Sequence, residues 1–243
     1  MELTPARTID GLIAEYAAFA DLVGGLSLEE LDLPTRCANW AVRDVAAHVV
    51  GNAADTLALT VGSRSPDEQA RAFRDHDHAA ELRSAAADIR PLLHASTDYW
   101  NRPSLVPERT IGNGVLTLWY DAYLHADDIR TALGRPSERG PGLAAAVRWV
   151  VAELGAKGWG PARIALDGSD ETGVVEPGGV ESGAFESGAF EPGVFEAGVF
   201  EIGGAGAAEE PILRADALRF VLVATGRADP AELGLDESVN VHH

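Results

Sequence analysis

Residues 119–130 read WYDAYLHADDIR and carry three ionisable side chains at helical spacing. Asp121, His125 and Asp128 are four and then three positions apart, so in a helix all three would lie on one face. Most of the other side chains in the stretch are typical of a protein interior: Trp119, Ala122, Tyr123, Leu124 and Ile129. The stretch therefore predicts a buried helix that brings a carboxylate and an imidazole, one turn apart, into the core.

Helix-start and helix-stop signals on both sides of this stretch predict a helical first part of the chain. The predicted starts are Thr4 before Pro5, capping boxes at 27–30 and 65–68, Asn39 before a helix from Trp40 to Leu59, and the glycine-rich turn at 112–114 before the quoted helix. Gly134 and the following Pro136 predict the end of the quoted helix, and Pro91 predicts an interruption of a polar helical region. Four main helices in this order favour an antiparallel four-helix bundle over residues 1–137.

The residues after 137 have a different pattern and predict a second, smaller α+β domain, residues 138–243. Residues 141–154 have helical periodicity, residues 163–168 alternate like a strand that ends in a turn, and residues 216–224 form a short apolar helix or strand. The predicted fold class of the whole chain is therefore α+β, a helical bundle followed by a small mixed domain.

A five-residue acidic repeat occupies residues 176–205, and every unit begins with glutamate. An odd period cannot keep the recurring phenylalanines on one face of a flat strand, because side chains there alternate with period two. A regular sheet is therefore not expected, and six units are too few for a self-supporting solenoid. We expect an expanded, mobile hairpin loop inserted in the second domain; the alternative is a strip that binds a protein partner.

The composition is that of a globular protein with an acidic surface. The chain has 243 residues, 46% hydrophobic content and a formal net charge of −19. Such a charge repels phosphate backbones and anionic lipid headgroups, so neither nucleic acid nor a membrane is expected as a partner. The sequence has no apolar run of about 18 residues and starts without a secretory signal pattern, which predicts a cytoplasmic protein. Cys37 is the only cysteine, which excludes an intrachain disulfide. We interpret it as a small packed residue at a helix start, and a thiol made reactive by the nearby helix N-terminus is the alternative.

His48 is a second imidazole with a core-facing position in the predicted bundle, because it lies on the apolar side of the helix predicted from Trp40. A single core histidine is usually a hydrogen-bonded packing residue. Together with Asp121 and His125, however, it would give three protein ligands and one open position, as a catalytic metal site in a bundle requires. A buried Asp121 without a cation or hydrogen bonds would cost several kcal/mol.

The two stretches that carry these residues are LDLPTRCANWAVRDVAAHVV at 31–50 and WYDAYLHADDIRTALGRP at 119–136. Together they resemble the mycothiol-dependent maleylpyruvate isomerase family, a branch of the DinB-like metal-binding four-helix bundles. The resemblance implies that His48, Asp121 and His125 bind a divalent metal, zinc in that family. Maleylpyruvate isomerase itself has Glu where this chain has Asp121. The stretch DALRFVLVATGR, which starts at residue 216, is similar to the end of a sterol-carrier-protein-like α+β domain.

The resemblance implies a zinc-dependent enzyme that uses mycothiol or another small thiol, as an isomerase or an S-transferase, on an electrophilic small molecule. Two alternatives stay open: a metal-dependent biosynthetic enzyme that activates water or its substrate without a thiol, and a non-catalytic metal-containing binding module. Arg227 is a candidate for holding a substrate carboxylate, and no other catalytic or cofactor-binding residue is assigned.

The acidic residues next to the candidate ligands have two interpretations each. Asp128 is expected either to accept a hydrogen bond from His125 or to pair with Arg130 or Arg135. Asp44 lies one turn before the other candidate histidine, and the same two roles are open to it.

Overall fold

The computed structural model describes residues 4–106, 109–168, 198–203 and 210–242. Within these ranges the chain has eight α-helices and one three-stranded sheet, and the strands all come late in the chain. The predicted α+β fold class is therefore confirmed. The chain divides into two compact units, one that ends at Glu138 and one that begins at Arg139. None of the described helices combines the length and the apolar character that crossing a membrane requires.

The first unit consists of helices. They are α1 (Pro5–Gly24), α2 (Leu28–Leu31), α3 (Val42–Leu57), α4 (Pro66–Phe73), α5 (His78–Ala95) and α6 (Ile111–Ala132). Four of them are long, and both α1 and α3 pack against α5 and against α6, which is the arrangement of a four-helix bundle. The short helix α4 packs on α3.

Local hydrogen bonds set most of the helix starts as predicted. The Thr4 hydroxyl accepts from the N–H of Arg7, and Ser27 and Ser65 each form a complete capping box with the glutamate three residues later. The prediction that Asn39 caps the third helix is wrong. Asn39 has a φ of 68°, and α3 begins at Val42 instead. Asparagine tolerates this left-handed conformation, so here it belongs to the turn before the helix.

The polar region after residue 65 forms two helices, but the break lies earlier than the predicted position near Pro91. The chain leaves the helical path after α4 and re-enters it at α5, where the Asp77 carboxylate accepts from the N–H of Ala80 at 3.0 Å. Pro91 lies inside α5, which continues to Ala95. The boundary between the two helices is therefore set by the capping Asp77 and not by Pro91.

The core of the bundle is built by apolar stripes, of which that on α1 is the clearest. Ile9, Leu12, Tyr16 and Phe19 are at most 1% exposed and follow the helical period. Gly11 lies on the same helix where the ring of Trp119 approaches it, and a Cβ at Gly11 would lie 2.0 Å from that ring. Glycine at this position therefore lets α1 and α6 pack closely around Trp119.

The second unit contains the sheet and two helices. They are α7 (Pro141–Ala156), β1 (Ala162–Asp167), β2 (Gly198–Ile202), β3 (Ile212–Asp216) and α8 (Ala217–Ala224). The strand order is β2-β1-β3, with β1 antiparallel to β2 and parallel to β3. The segment from Asp216 onward, predicted as a helix or a strand, is a helix capped by the Asp216 carboxylate.

Part of the acidic repeat lies in this sheet. The expectation that the repeat does not form a sheet is wrong for residues 198–202, which are β2. The period conflict arises only between successive units, whereas a single unit can alternate. Phe200 and Ile202 are less exposed than Val199 and Glu201 between them. The rest of the repeat, with its predicted hairpin loop, lies outside the described residues apart from Gly203.

Candidate metal centre

Helices α3 and α6 bring the three candidate ligands together. His48 Nε2 lies 3.5 Å from Asp121 Oδ2, and His125 Nε2 lies 3.5 Å from Asp121 Oδ1. The two imidazole rings meet edge to face, with centroids 5.0 Å apart. One ligand atom from each residue lies within 4.8 Å of the others, so three residues from two helices converge on one point.

The spacing of these atoms fits a shared cation. At 3.5 Å, nitrogen and oxygen are farther apart than in a good hydrogen bond. Ligands about 2.0–2.1 Å from a tetrahedral metal lie roughly 3.4 Å from one another, which is close to the observed separation. Two imidazole nitrogens and one carboxylate oxygen are also a donor set that zinc and neighbouring divalent metals accept.

The cluster is buried on its histidine side and opens at the aspartate. The side chains of His48 and His125 are 6% and 9% exposed, whereas that of Asp121 is 21% exposed. Burial opposes ionisation of Asp121, but the charges of His125 and then His48 outweigh it and hold the pKa of the carboxyl well below its usual range. Burial likewise opposes protonation of His125, yet Asp121 raises the pKa of this imidazole well above its usual value. The pocket therefore favours a positive charge next to Asp121.

Asp128 orients the ring of His125. The Nδ1 atom of His125 is 2.9 Å from Asp128 Oδ2, and the carboxylate is fully buried. As acceptor, Asp128 keeps a proton on Nδ1, so the Nε2 atom, which faces Asp121, is the one that would give up its proton to bind a metal. The predicted alternative, a pair with Arg130 or Arg135, is wrong, because these arginines pair with Glu138 and Glu30.

The arginine that pairs with Asp128 comes from the loop before α3 instead. Arg36 Nε lies 2.5 Å from Asp128 Oδ1, and the same guanidinium also bonds to the buried Asp127. Cys37 donates its thiol proton to Asp128 Oδ2 at 3.1 Å and lies 4.0 Å from His125 Nδ1. Its thiol thus lies on the Nδ1 side of the ring.

The loop also covers the cluster with an aromatic ring, because the centroid of Trp40 lies 5.2 Å from that of His48 and 6.2 Å from that of His125. The sequence did not indicate Arg36 or Trp40 as site residues, and it indicated Cys37 mainly as a packed residue at a helix start. Their proximity in sequence to the helix of His48 was the available signal.

A second group of ligand-type atoms shares His125 and includes Cys37 and Asp128. The guanidinium of Arg36 already neutralises Asp128, and His125 presents its Nδ1 proton to that carboxylate. A cation in this second group would face both the guanidinium and the Nδ1 proton. The group at His48, Asp121 and His125 is therefore the better candidate for a metal.

Asn52 is a further polar residue at the cluster. It lies one turn after His48 on α3, and its Nδ2 atom is 2.9 Å from Asp121 Oδ2 and 3.3 Å from His48 Nε2. Spacing of four residues on a predicted helix was the signal that could have found it.

The comparisons with known proteins bear on the helical unit. The family model described as mycothiol maleylpyruvate isomerase N-terminal domain matches residues 12–130. The helical unit belongs to this family. The matched range includes all three candidate ligands and the loop that carries Arg36, Cys37 and Trp40. No curated protein and no solved structure matches the chain.

Two other residues singled out in the sequence lie away from the candidate ligand atoms. One is in the helical unit and the other is in the second unit. Asp44 accepts from the N–H of Ala41 at 2.9 Å and pairs with Arg74, so it stabilises the start of α3. Arg227 follows α8 in the second unit, where its N–H donates to the carbonyl of Leu222 at 2.7 Å. Its role in holding a substrate carboxylate stays a prediction.

Proposed function

We propose that the chain is a divalent-metal-dependent enzyme, with zinc as the metal, that uses mycothiol or another small thiol as cosubstrate. In this proposal it isomerises an electrophilic small molecule or transfers the thiol to it. The observation that carries the proposal is the convergence of His48, Asp121 and His125, whose ligand-type atoms lie within 4.8 Å of one another, each imidazole being 3.5 Å from an oxygen of the carboxylate. The match of the helical unit to the mycothiol maleylpyruvate isomerase N-terminal domain supports the use of a small thiol as cosubstrate.

The number of ligands favours catalysis over a structural role. Structural zinc sites usually have four protein ligands, whereas catalytic sites have three and an open position. Among the residues described, the groups of ligand-type atoms have three members each, and Cys37 approaches His125 from the opposite side of the ring. The cluster therefore leaves a position for a substrate atom, and the partly exposed Asp121 marks its solvent side.

The chain's own residues would prepare this position for an anionic ligand. A divalent cation held there would supply the charge that lowers the pKa of a bound thiol or water. Asp128 holds a proton on His125 Nδ1 and so leaves Nε2 to bind the metal, and the ring of Trp40 packs beside both imidazole rings. In isomerisation the thiolate sulfur would form a bond to one alkene carbon while the alkene electron pair moves to the conjugated carbonyl oxygen. The former double bond, now single, rotates; the electron pair then returns to re-form the alkene as the C–S bond breaks and the thiolate leaves.

Metal content tests the ligand assignment. Purified protein is expected to bind about one divalent metal per chain, and His48→Ala and His125→Ala are each expected to abolish binding. His78→Ala is the matched control, because His78 is also buried but its Nε2 contacts the carbonyl of Phe73 at 2.9 Å. Elemental analysis gives the measurement, and full occupancy in both cluster variants would refute the assignment.

A turnover assay tests whether a thiol is the cosubstrate. The substrates are maleylpyruvate-like or epoxide-like electrophiles, each measured with and without mycothiol. We expect metal-dependent turnover to rise when the thiol is added. The thiol-free alternative uses the same three ligands, since two imidazoles and a carboxylate accept an oxygen ligand as well as sulfur. Metal-dependent activity that is indifferent to every thiol would favour that alternative, and metal binding without turnover would favour the non-catalytic module.

A further inference from the structure

Asn52 contacts two of the three candidate metal ligands without being a ligand itself. Its carboxamide nitrogen lies 2.9 Å from Asp121 Oδ2 and 3.3 Å from His48 Nε2. A carboxamide has a donor end and an acceptor end, and which end faces a site decides what the site can bind. The surrounding hydrogen bonds determine this orientation.

A chain of hydrogen bonds that begins at Asp55 determines the orientation of the Asn52 carboxamide. Asp55 is 1% exposed, and an ionised carboxylate can only accept. Gln69 Nε2 donates to Asp55 Oδ2 at 2.7 Å, and Arg64 Nε donates to Asp55 Oδ1 at 2.9 Å. The nitrogen of Gln69 is thus fixed toward Asp55, and it also donates to Asn52 Oδ1 at 3.0 Å. The acceptor end of Asn52 is thereby occupied.

The close approach of Gln69 depends on a glycine. A Cβ at Gly51 would lie 2.6 Å from the Cβ of Gln69, so a side chain there would push α4 away from α3. With glycine, the chain from Asp55 through Gln69 stays intact, and both N–H bonds of Asn52 face the cluster.

One of these N–H bonds lacks an acceptor once the cluster holds a metal, and this step rests on the proposed function. The first donates to Asp121 Oδ2, which has lone pairs to spare. The second is directed at His48 Nε2, whose only lone pair would bind the metal. A buried donor without an acceptor is costly, so a ligand atom beside the metal that can accept a hydrogen bond would be favoured.

We propose that Asn52 is a substrate-binding residue that donates a hydrogen bond to the anionic atom of the ligand at the open position. The chemical class is a small anion or a thiolate, because a hydrogen bond to a charged acceptor is stronger than one to a neutral acceptor. Gln69 is a positioning residue that keeps the nitrogen of Asn52, and not its oxygen, toward the ligand.

The test uses the full chain loaded with Co²⁺, whose visible absorption reports the ligand at the metal. Asn52→Leu removes the donor at similar size. Thr56→Val is the matched control, because Thr56 is buried on the same helix and donates to the carbonyl of Asn52 at 2.8 Å. Azide and 2-mercaptoethanol, titrated separately, probe a nitrogen and a sulfur ligand. Asn52→Ala, which removes the donor without adding a charge, provides a second variant in case the leucine variant does not fold.

We expect each Asn52 variant to keep about one Co²⁺ per chain and to bind the probes roughly ten- to hundredfold more weakly than the wild type. Thr56→Val should bind them like the wild type. Weakening with the thiol alone would assign the acceptor as a thiolate, and weakening with both would assign a general anion site. Wild-type affinity in either variant, or loss of Co²⁺ from both, would overturn the proposal. A wild-type chain that binds no Co²⁺ would refute the proposed function itself, and the inference with it.

Discussion

Replacing Arg36 by methionine would remove the positive charge that two buried carboxylates of α6 share. The side chains of Asp127 and Asp128 are 1% and 0% exposed, and the guanidinium of Arg36 bonds to both. Removing one partner of a buried ion pair costs about 3–5 kcal/mol, because the remaining charge is left uncompensated. The side chain of Arg36 is itself 21% exposed, so water would compensate part of the loss. We therefore expect the free energy of unfolding to fall by about 2–4 kcal/mol.

Urea unfolding measures this loss as a lower midpoint at an unchanged slope. Arg83→Met is the matched control, because Arg83 forms a 2.7 Å pair with Asp21 in which both side chains are more than half exposed. Exposed pairs contribute about 0–1 kcal/mol, so the control should lie close to the wild type.

The comparison of the two variants tests whether Arg36 compensates the charges of the two buried carboxylates. Equal losses in Arg36→Met and Arg83→Met would mean that Asp127 and Asp128 do not depend on Arg36 for their charge compensation. A changed slope in Arg36→Met alone would point to altered compactness, and the midpoints would then no longer compare stabilities.

Three further predictions concern pH and packing. Because the pKa of His125 is raised, a metal must displace its proton. Zinc affinity should therefore rise about tenfold per pH unit up to that pKa and level off above it. Calorimetry at several pH values can measure this, and an affinity that does not change with pH would contradict it. Burial raises the pKa of Glu15 from 4.5 to about 7, so the stability that its protonated form contributes is fully present below 4.5 and is lost as the pH rises through 7. Glu15→Gln, which cannot ionise, should then unfold at higher urea than the wild type at pH 8 but not at pH 4; equal midpoints at pH 8 would exclude an ionised Glu15 as a source of instability. Gly11→Ala should lower the unfolding midpoint, because its Cβ meets Trp119. Gly114→Ala, with open space around it in α6, should raise stability by up to about 1 kcal/mol. Scanning calorimetry measures both midpoints, and a higher midpoint in Gly11→Ala than in Gly114→Ala would contradict the prediction.

The sequence predicted those parts of the fold that depend on neighbouring residues. Ser27 and Ser65 form the expected capping boxes because both partners lie within four residues of each other. Asn39 was assigned wrongly because its conformation depends on the turn before α3 and not on its own capping tendency. The strand in the acidic repeat was missed because a repeat period says little about one unit that pairs with β1.

The candidate metal centre was predictable to a similar degree. Asp121 and His125 share a helix face through their spacing alone, and the geometry of one helix suffices for that. The approach of His48 depends on how α3 packs on α6, which the family resemblance implied and the spacing did not. Arg36 and Asn52 lie close to His48 in sequence, which was a local signal, but their carboxylate partners on α6 lie 92 and 69 residues away, and no local pattern predicts those contacts.

The position of β2 in the repeat has a consequence for strand register. Its sequence, GVFEI at 198–202, differs only in its last residue from GVFEA at 193–197. Sliding the chain by one unit would therefore offer β1 a second strand with nearly the same alternation. Ile202 distinguishes the copies, since it is 2% exposed and alanine in its place would lose about 2–5 kcal/mol of buried contact. Ile202 is thus the one side chain that distinguishes the two five-residue copies, and Ile202→Ala would make their sequences identical.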